Sequence, residues 1–126
     1  MEKEIISTSN APGAIGPYSQ AVKVGNMVYT SGQLPLDPET GKLVEGDIKK
    51  AANRSLLNLK AVLEAAGSSL DKVVKSVVFV KNLDDFSAIN EVYAEFFTTN
   101  QPARSCVQVA KLPKDALLEI ELVAFV

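Results

Sequence analysis

The C-terminal stretch Leu117–Phe125 is apolar on both of the faces a strand can present, and no other feature constrains the fold as tightly. Side chains alternate along a strand with a period of two. Ile120, Leu122 and Ala124 share one parity, while Val123 and Phe125 share the other with Glu119 and Glu121. A strand of this pattern belongs in a sheet that is covered on both sides. Val73–Val80, a β-branched run with little polarity, asks for the same environment. Further strands are expected at Ser19–Val24 and Met27–Ser31, joined by the hairpin signal Gly25-Asn26, and at Ser105–Val109, with a short one at Glu4–Ser7.

Helical period appears twice. From Asp47 to Ala66 the apolar residues Ile48, Ala52, Leu56, Leu59, Leu63 and Ala66 recur every three or four positions, with Asp47 to cap the start and Gly67 to stop the end. In a second helix, capped by Asp84 or Asp85, Phe86, Ile89, Tyr93 and Phe96 form one stripe, read as core packing. The Pro-, Asp- and Gly-rich segment "LPLDPETGK" reads as a surface loop.

These elements describe a single α+β domain over residues 1–126, in the order β-β-α-β-α-β-β. Two helices can cover one face of such a sheet and leave the other bare. The simplest cover is a second copy of the same surface, so a symmetric homo-oligomer is expected.

Composition narrows the chemistry. The 126 residues are 47% hydrophobic and contain no histidine, one cysteine and a net charge of −2. Histidine is the commonest metal ligand and general base near neutral pH, so Ser-His, Cys-His and His-zinc sites are excluded, and one thiol cannot build a metal site. Interspersed charges and an acidic balance give little attraction for phosphate backbones, so no nucleic acid is expected. No apolar run of about 18 residues and no signal-peptide pattern is present, and the lone cysteine suits a reducing compartment. The expectation is a cytoplasmic protein with no membrane association.

Arg104 stands between Pro102-Ala103 and a strand, where its planar guanidinium could hold a carboxylate through two parallel hydrogen bonds. A structural ion pair is the alternative. Glu119 and Glu121 interrupt an apolar strand and point to one face, as a general base or acid would, or as edge-strand charges would. Cys106 has no histidine to activate it and reads as a small buried hydrophobe. Tyr18, following Gly16-Pro17, and Ser31-Gly32 at a strand end could face a ligand.

Three blocks together resemble the RidA/YjgF family of reactive-intermediate deaminases: "NAPGAIGPYSQAVKVGNMVYTSGQLPLDPETG", "LLNLKAVLEAAGSSLDKVVKSVVFVKNL" and "PARSCVQVAKLPKDALLEIE". The resemblance implies a chorismate-mutase-like fold, β-β-α-β-α-β, with two helices on one face of a mixed sheet and three subunits around a barrel-like core. It implies cofactor-independent hydrolysis of 2-iminobutanoate and 2-iminopropanoate to 2-keto acids and ammonia, at sites between subunits. Carried over by motif, Arg104 pairs with the substrate carboxylate, Glu119 positions or activates water, and the Cys106 carbonyl helps hold that water. Tyr18, Ser31 and Gly32 line the pocket, and Phe86 and Asn90 reach it from the neighbouring subunit. Relatives often carry Gln where this chain has Ala51, which bears on a helix-packing hydrogen bond. The alternative is a non-catalytic module that binds keto acids through the same arginine.

Overall fold

The computed structural model describes all residues, 1–126. Its strands are β1 (Lys3–Ile6), β2 (Ala21–Val24), β3 (Met27–Thr30), β4 (Val73–Val80), β5 (Ala103–Gln108) and β6 (Leu118–Phe125), and its helices are α1 (Ile48–Ala65) and α2 (Phe86–Phe96). They form one six-stranded sheet in the order β1-β2-β3-β6-β4-β5. Only β4 and β5 run parallel, because α2 carries the chain back between them. The other neighbours are antiparallel. Both helices lie on one face, as expected, and the short strand near Glu4 exists, one residue earlier at each end.

Local chemistry explains the boundaries. The Asp47 carboxylate accepts from the Lys50 N–H at 3.1 Å and opens α1. Gly67, at φ +82, closes it. There the Ser68 N–H reaches the Leu63 carbonyl at 2.9 Å and the Gly67 N–H reaches Glu64 at 3.1 Å, the two bonds of a Schellman ending. In the β2–β3 hairpin Gly25 takes the first turn position at φ +57, where a β-carbon would be strained.

The helix-facing side of the sheet is the core. Val28, Val78, Val80, Ile120, Leu122 and Ala124 meet Ala52, Leu56, Leu59, Val62 and Leu63 of α1, all essentially inaccessible. Burying each Val or Leu side chain contributes about 1.5–3 kcal/mol, so this seam dominates the fold. Ala51 is fully buried as well. At that methyl no polar group needs a partner, so the helix packs without the hydrogen bond a glutamine would bring.

The other face is open. By register, Ile5, Val22, Tyr29, Val123, Phe125, Val77, Phe79 and Val107 share it with Glu119 and Glu121. Ile5, Tyr29, Phe125 and Val107 are 55%, 45%, 41% and 44% exposed. A run of apolar side chains from edge to edge is unusual for a free surface.

Four expectations need correction. Phe86 is exposed rather than core: it opens the first turn of α2, and its ring lies under the Arg104 guanidinium instead of among the buried side chains. Neither aspartate caps α2: the Asp85 side chain makes no cap bond, and Asn82 instead accepts from the Asp84 N–H at 2.9 Å in a short turn leading into the helix. Arg104 lies inside β5, not before it. Leu34 and Leu36 of the supposed surface loop are buried, packing with Leu112 and Ala116 in a small second core.

Candidate functional site

Glu119 projects from β6 on the open face. Past β3 the chain runs beside β6, where the Gln33 N–H donates to the Ile120 carbonyl at 2.8 Å and the Ile120 N–H returns the bond at 3.3 Å. This lays Gly32 directly on the Glu119 carboxyl. A β-carbon on Gly32 would fall 2.5 Å from Glu119 Cδ, so only glycine admits the side chain in this position. Ser31 is fixed on the other side: its N–H donates to the Gln20 carbonyl at 2.9 Å and its hydroxyl to the Ser19 carbonyl at 2.6 Å.

A cavity of about 280 Å³ opens over this corner, lined by Glu119, Gly32 and Ser31 with Tyr18, Ile15, Leu34, Leu36 and Pro113. Tyr18 is half-exposed, and its oxygen accepts from the Ile15 N–H at 3.4 Å. The outer wall hangs from Gln20, a buried amide at the start of the hairpin. Its oxygen accepts from the Thr8 N–H at 2.7 Å, and its nitrogen donates to the Pro12 and Thr8 carbonyls at 2.7 and 3.1 Å. Burial raises the Glu119 pKa above the usual carboxylate value, and the neighbouring Glu121 charge adds to the effect. A carboxyl poised this way can take a proton from water and return it.

Arg104 occupies a second corner. It projects from β5 on the helix side, where Nη1 donates to Asn90 Oδ1 at 2.7 Å. The guanidinium lies 4.7 Å from the Tyr93 ring centre and 5.3 Å from that of Phe86, an aromatic floor that holds a cation by its faces. No carboxylate pairs with it: the ion pairs of the chain are Lys49–Glu91 and Lys81–Asp115. Free guanidinium donors above an aromatic floor are what an incoming carboxylate needs.

Tyr93 lies buried with its hydroxyl lacking a partner. Its pKa is raised by burial, while the Arg104 charge beside it acts the other way. Ser76 does not stand in hydrogen-bonding geometry to it. Cys106 shares the helix-facing side of β5 with Arg104 and is partly exposed. Burial raises its pKa against the opposing pull of Arg104, which leaves a protonated thiol and a poor nucleophile. The main chain of β5 is different, because β5 is an edge strand with one side unpaired.

Within one chain the candidates therefore fall into two groups. Tyr18, Ser31, Gly32 and Glu119 converge on the cavity, while Phe86, Asn90 and Arg104 converge on the edge of β5. Phe86 and Asn90, expected from a neighbouring subunit, belong with Arg104 of their own chain. The two groups do not meet: β4 separates β5 from β6, with Ser76 opposite Arg104 and Phe79 opposite Glu119, on opposite faces of the sheet. Sequence reasoning missed Tyr93 as the floor under the cation. The signal was there, since Phe86, Asn90 and Tyr93 follow the helical spacing of i, i+4 and i+7. It missed Gln20 and the buried leucines of the cavity wall. No group of three or more acidic or thiol side chains converges as a metal site, and no helix is long and apolar enough to cross a membrane.

The family model described as Endoribonuclease L-PSP matches residues 8–126. A RutC family protein of Pyrococcus abyssi is 54% identical over 99% of this chain and 98% of its own length. The 2-iminobutanoate/2-iminopropanoate deaminase of Salmonella typhimurium is 54% identical over 94% of each chain. Among solved structures, Escherichia coli TdcF with bound serine superposes with a TM-score of 0.94 at 52% identity, covering 98% of both chains.

Proposed function

This chain belongs to the Endoribonuclease L-PSP family, the YjgF/RidA proteins, and from that membership and its site we propose that it is a 2-iminobutanoate/2-iminopropanoate deaminase. Arg104 carries the reading. An arginine with an aromatic floor, one amide partner and no carboxylate is arranged to receive a small organic acid. The relative named as a deaminase of 2-imino acids, and the solved neighbour holding serine, both point to a ligand of that class.

The reaction needs little machinery. Arg104 holds the carboxylate so that the adjacent iminium carbon faces a water beside Glu119. Glu119 accepts a proton as the water oxygen bonds to carbon, giving a carbinolamine. It then protonates the nitrogen, and the C–N bond breaks as the carbonyl forms, the hydroxyl proton passing by way of Glu119 to the departing ammonia. Water and the iminium become a 2-keto acid and ammonium, with Glu119 regenerated. An iminium is already a good electrophile, so orientation and one modest base suffice, with no cofactor. The Cys106 carbonyl would hold the water, and Tyr18, Ser31, Gly32, Phe86 and Asn90 would enclose the substrate.

The two half-sites require a neighbour. A ring of three chains would cover the open apolar face and bring the β5 edge of one against the Glu119 cavity of the next. Substrate would thus lie between subunits of a homotrimer in the cytoplasm. Ribonuclease chemistry, which the family description names, finds no histidine and no net positive charge in this chain.

Keto-acid release by a threonine dehydratase tests the proposal. The chain should accelerate it and Arg104→Ala should abolish the effect. No acceleration, or full acceleration by the variant, overturns the assignment. Tight binding of a 2-keto acid without turnover would mark a regulatory module instead.

A further inference from the structure

Asn58 is the one fully inaccessible amide of α1, set among Leu56, Leu59, Val62 and Leu63 on the face that packs the core. A polar group there is costly unless every bond it can make is used. Both of its N–H donors are spent outside the helix, on the Leu36 carbonyl at 2.9 Å and the Leu34 carbonyl at 3.3 Å. Its oxygen accepts from Arg54 Nε at 3.1 Å, one helical turn back. That bond fixes which end of the amide faces the loop. Arg54 also stands near enough to Asp37 to lower its pKa, behind the larger effect of the Glu39 and Thr40 N–H groups that the Asp37 carboxylate accepts.

The segment so held is the wall of the cavity. Leu34 and Leu36 line it, and two residues before Leu34 lies Gly32, in contact with the Glu119 carboxyl. Between them Gln33 is bonded to β6. The backbone from Gly32 to Leu36 is thus clamped from β6 on one side and from α1 on the other, and Glu119 is pressed into the corner it forms. We infer that Asn58, oriented by Arg54, is a positioning residue for Glu119, acting through the Gly32–Leu36 backbone and touching no substrate. The inference rests on the proposed deaminase reading for its kinetic consequence, but its structural consequence stands apart.

If the clamp opens, the wall recedes, more water reaches Glu119, and the base is misplaced and moves toward ordinary carboxylate behaviour. Carboxylate capture by Arg104, in the other half-site, is untouched. Loss should fall on kcat and not on KM. A fold merely weakened would lower the active fraction and leave the properties of Glu119 alone.

The test uses Asn58→Ser and Arg54→Met, the second leaving the core filled should the first fail to fold, with Arg54→Lys as the conservative rescue. Both disruptive variants should lose roughly tenfold or more in kcat with KM held within about twofold, and Arg54→Lys should recover most of the loss. Hydrogen exchange should quicken at Leu34–Asp37 while β6 and the rest of α1 stay protected. Carbon-detected NMR titration should show the Glu119 carboxyl shifting to lower pH. Unchanged exchange at Leu34–Asp37, or an unchanged Glu119 titration in Arg54→Met, overturns the inference. A wild type without turnover would overturn the deaminase reading while exchange and titration still judge the clamp.

Discussion

Glu119 is held where its charge is least welcome. Burial comes first among the causes that raise its pKa and the nearby Glu121 second, so folding favours its protonated form. The consequence for stability follows from linkage. A group whose folded pKa lies above its unfolded value stabilises the fold fully below the unfolded value, about 4.3 for glutamate, and loses that contribution as pH rises through the folded one. Wild type should therefore lose stability relative to Glu119→Gln across the range from the ordinary glutamate value up through the raised one. Urea denaturation of the two proteins across that range should show midpoints converging at acid pH and the variant ahead at neutral pH. A wild type equal to or ahead of the variant at neutral pH would show that Glu119 gains a cationic partner that its own chain does not supply. Gly32 matters at the same scale: it leaves the space that the carboxyl occupies, and burial is the consequence.

Elements are set by local rules, and α1 shows how far those rules reach. The Asp47 cap satisfies an N–H that would otherwise lack a partner, so Asp47→Ala should cost about 0.5–2 kcal/mol in denaturant unfolding, with the slope unchanged. A loss well below that range would mean water caps the helix equally well. Both ends of α1, the full extent of β4 and the Gly25-Asn26 hairpin were legible because periodicity, caps and turn glycines are written in neighbouring residues. Leu34 and Leu36 were not, because a proline-rich loop takes its burial from Leu112, Ala116 and the reach of Asn58, all distant in sequence. Phe86 was misread for a related reason. Helical spacing places it on the stripe of Ile89 and Tyr93, but only the tertiary fold shows that it stays exposed and that Arg104 lies over its ring. Candidate site residues could be named from the sequence as types and motifs. Their division between two faces was not, since parity along one strand says nothing of the face shown by another until pairing fixes the register.

At the scale of the whole molecule, that division makes one experiment decisive. Arg104 lies on the helix side of β5 and Glu119 on the open side of β6, so a site using both must draw them from different chains. The apolar open face, from Ile5 across Tyr29 and Phe125 to Val107, offers the contact that would bring those chains together. Arg104→Ala and Glu119→Gln should each be inactive as pure assemblies. Refolded together as a ring of three, every mixed ring contains one junction at which an intact Arg104 meets an intact Glu119. Equal mixing leaves about a quarter of all junctions intact, so about a quarter of wild-type turnover should return. A site complete within one chain predicts no recovery at any mixing ratio, because every chain then carries one defect. Sedimentation of the mixture checks the ring itself: a stable monomer that nevertheless turns over would remove both the trimer and the shared site.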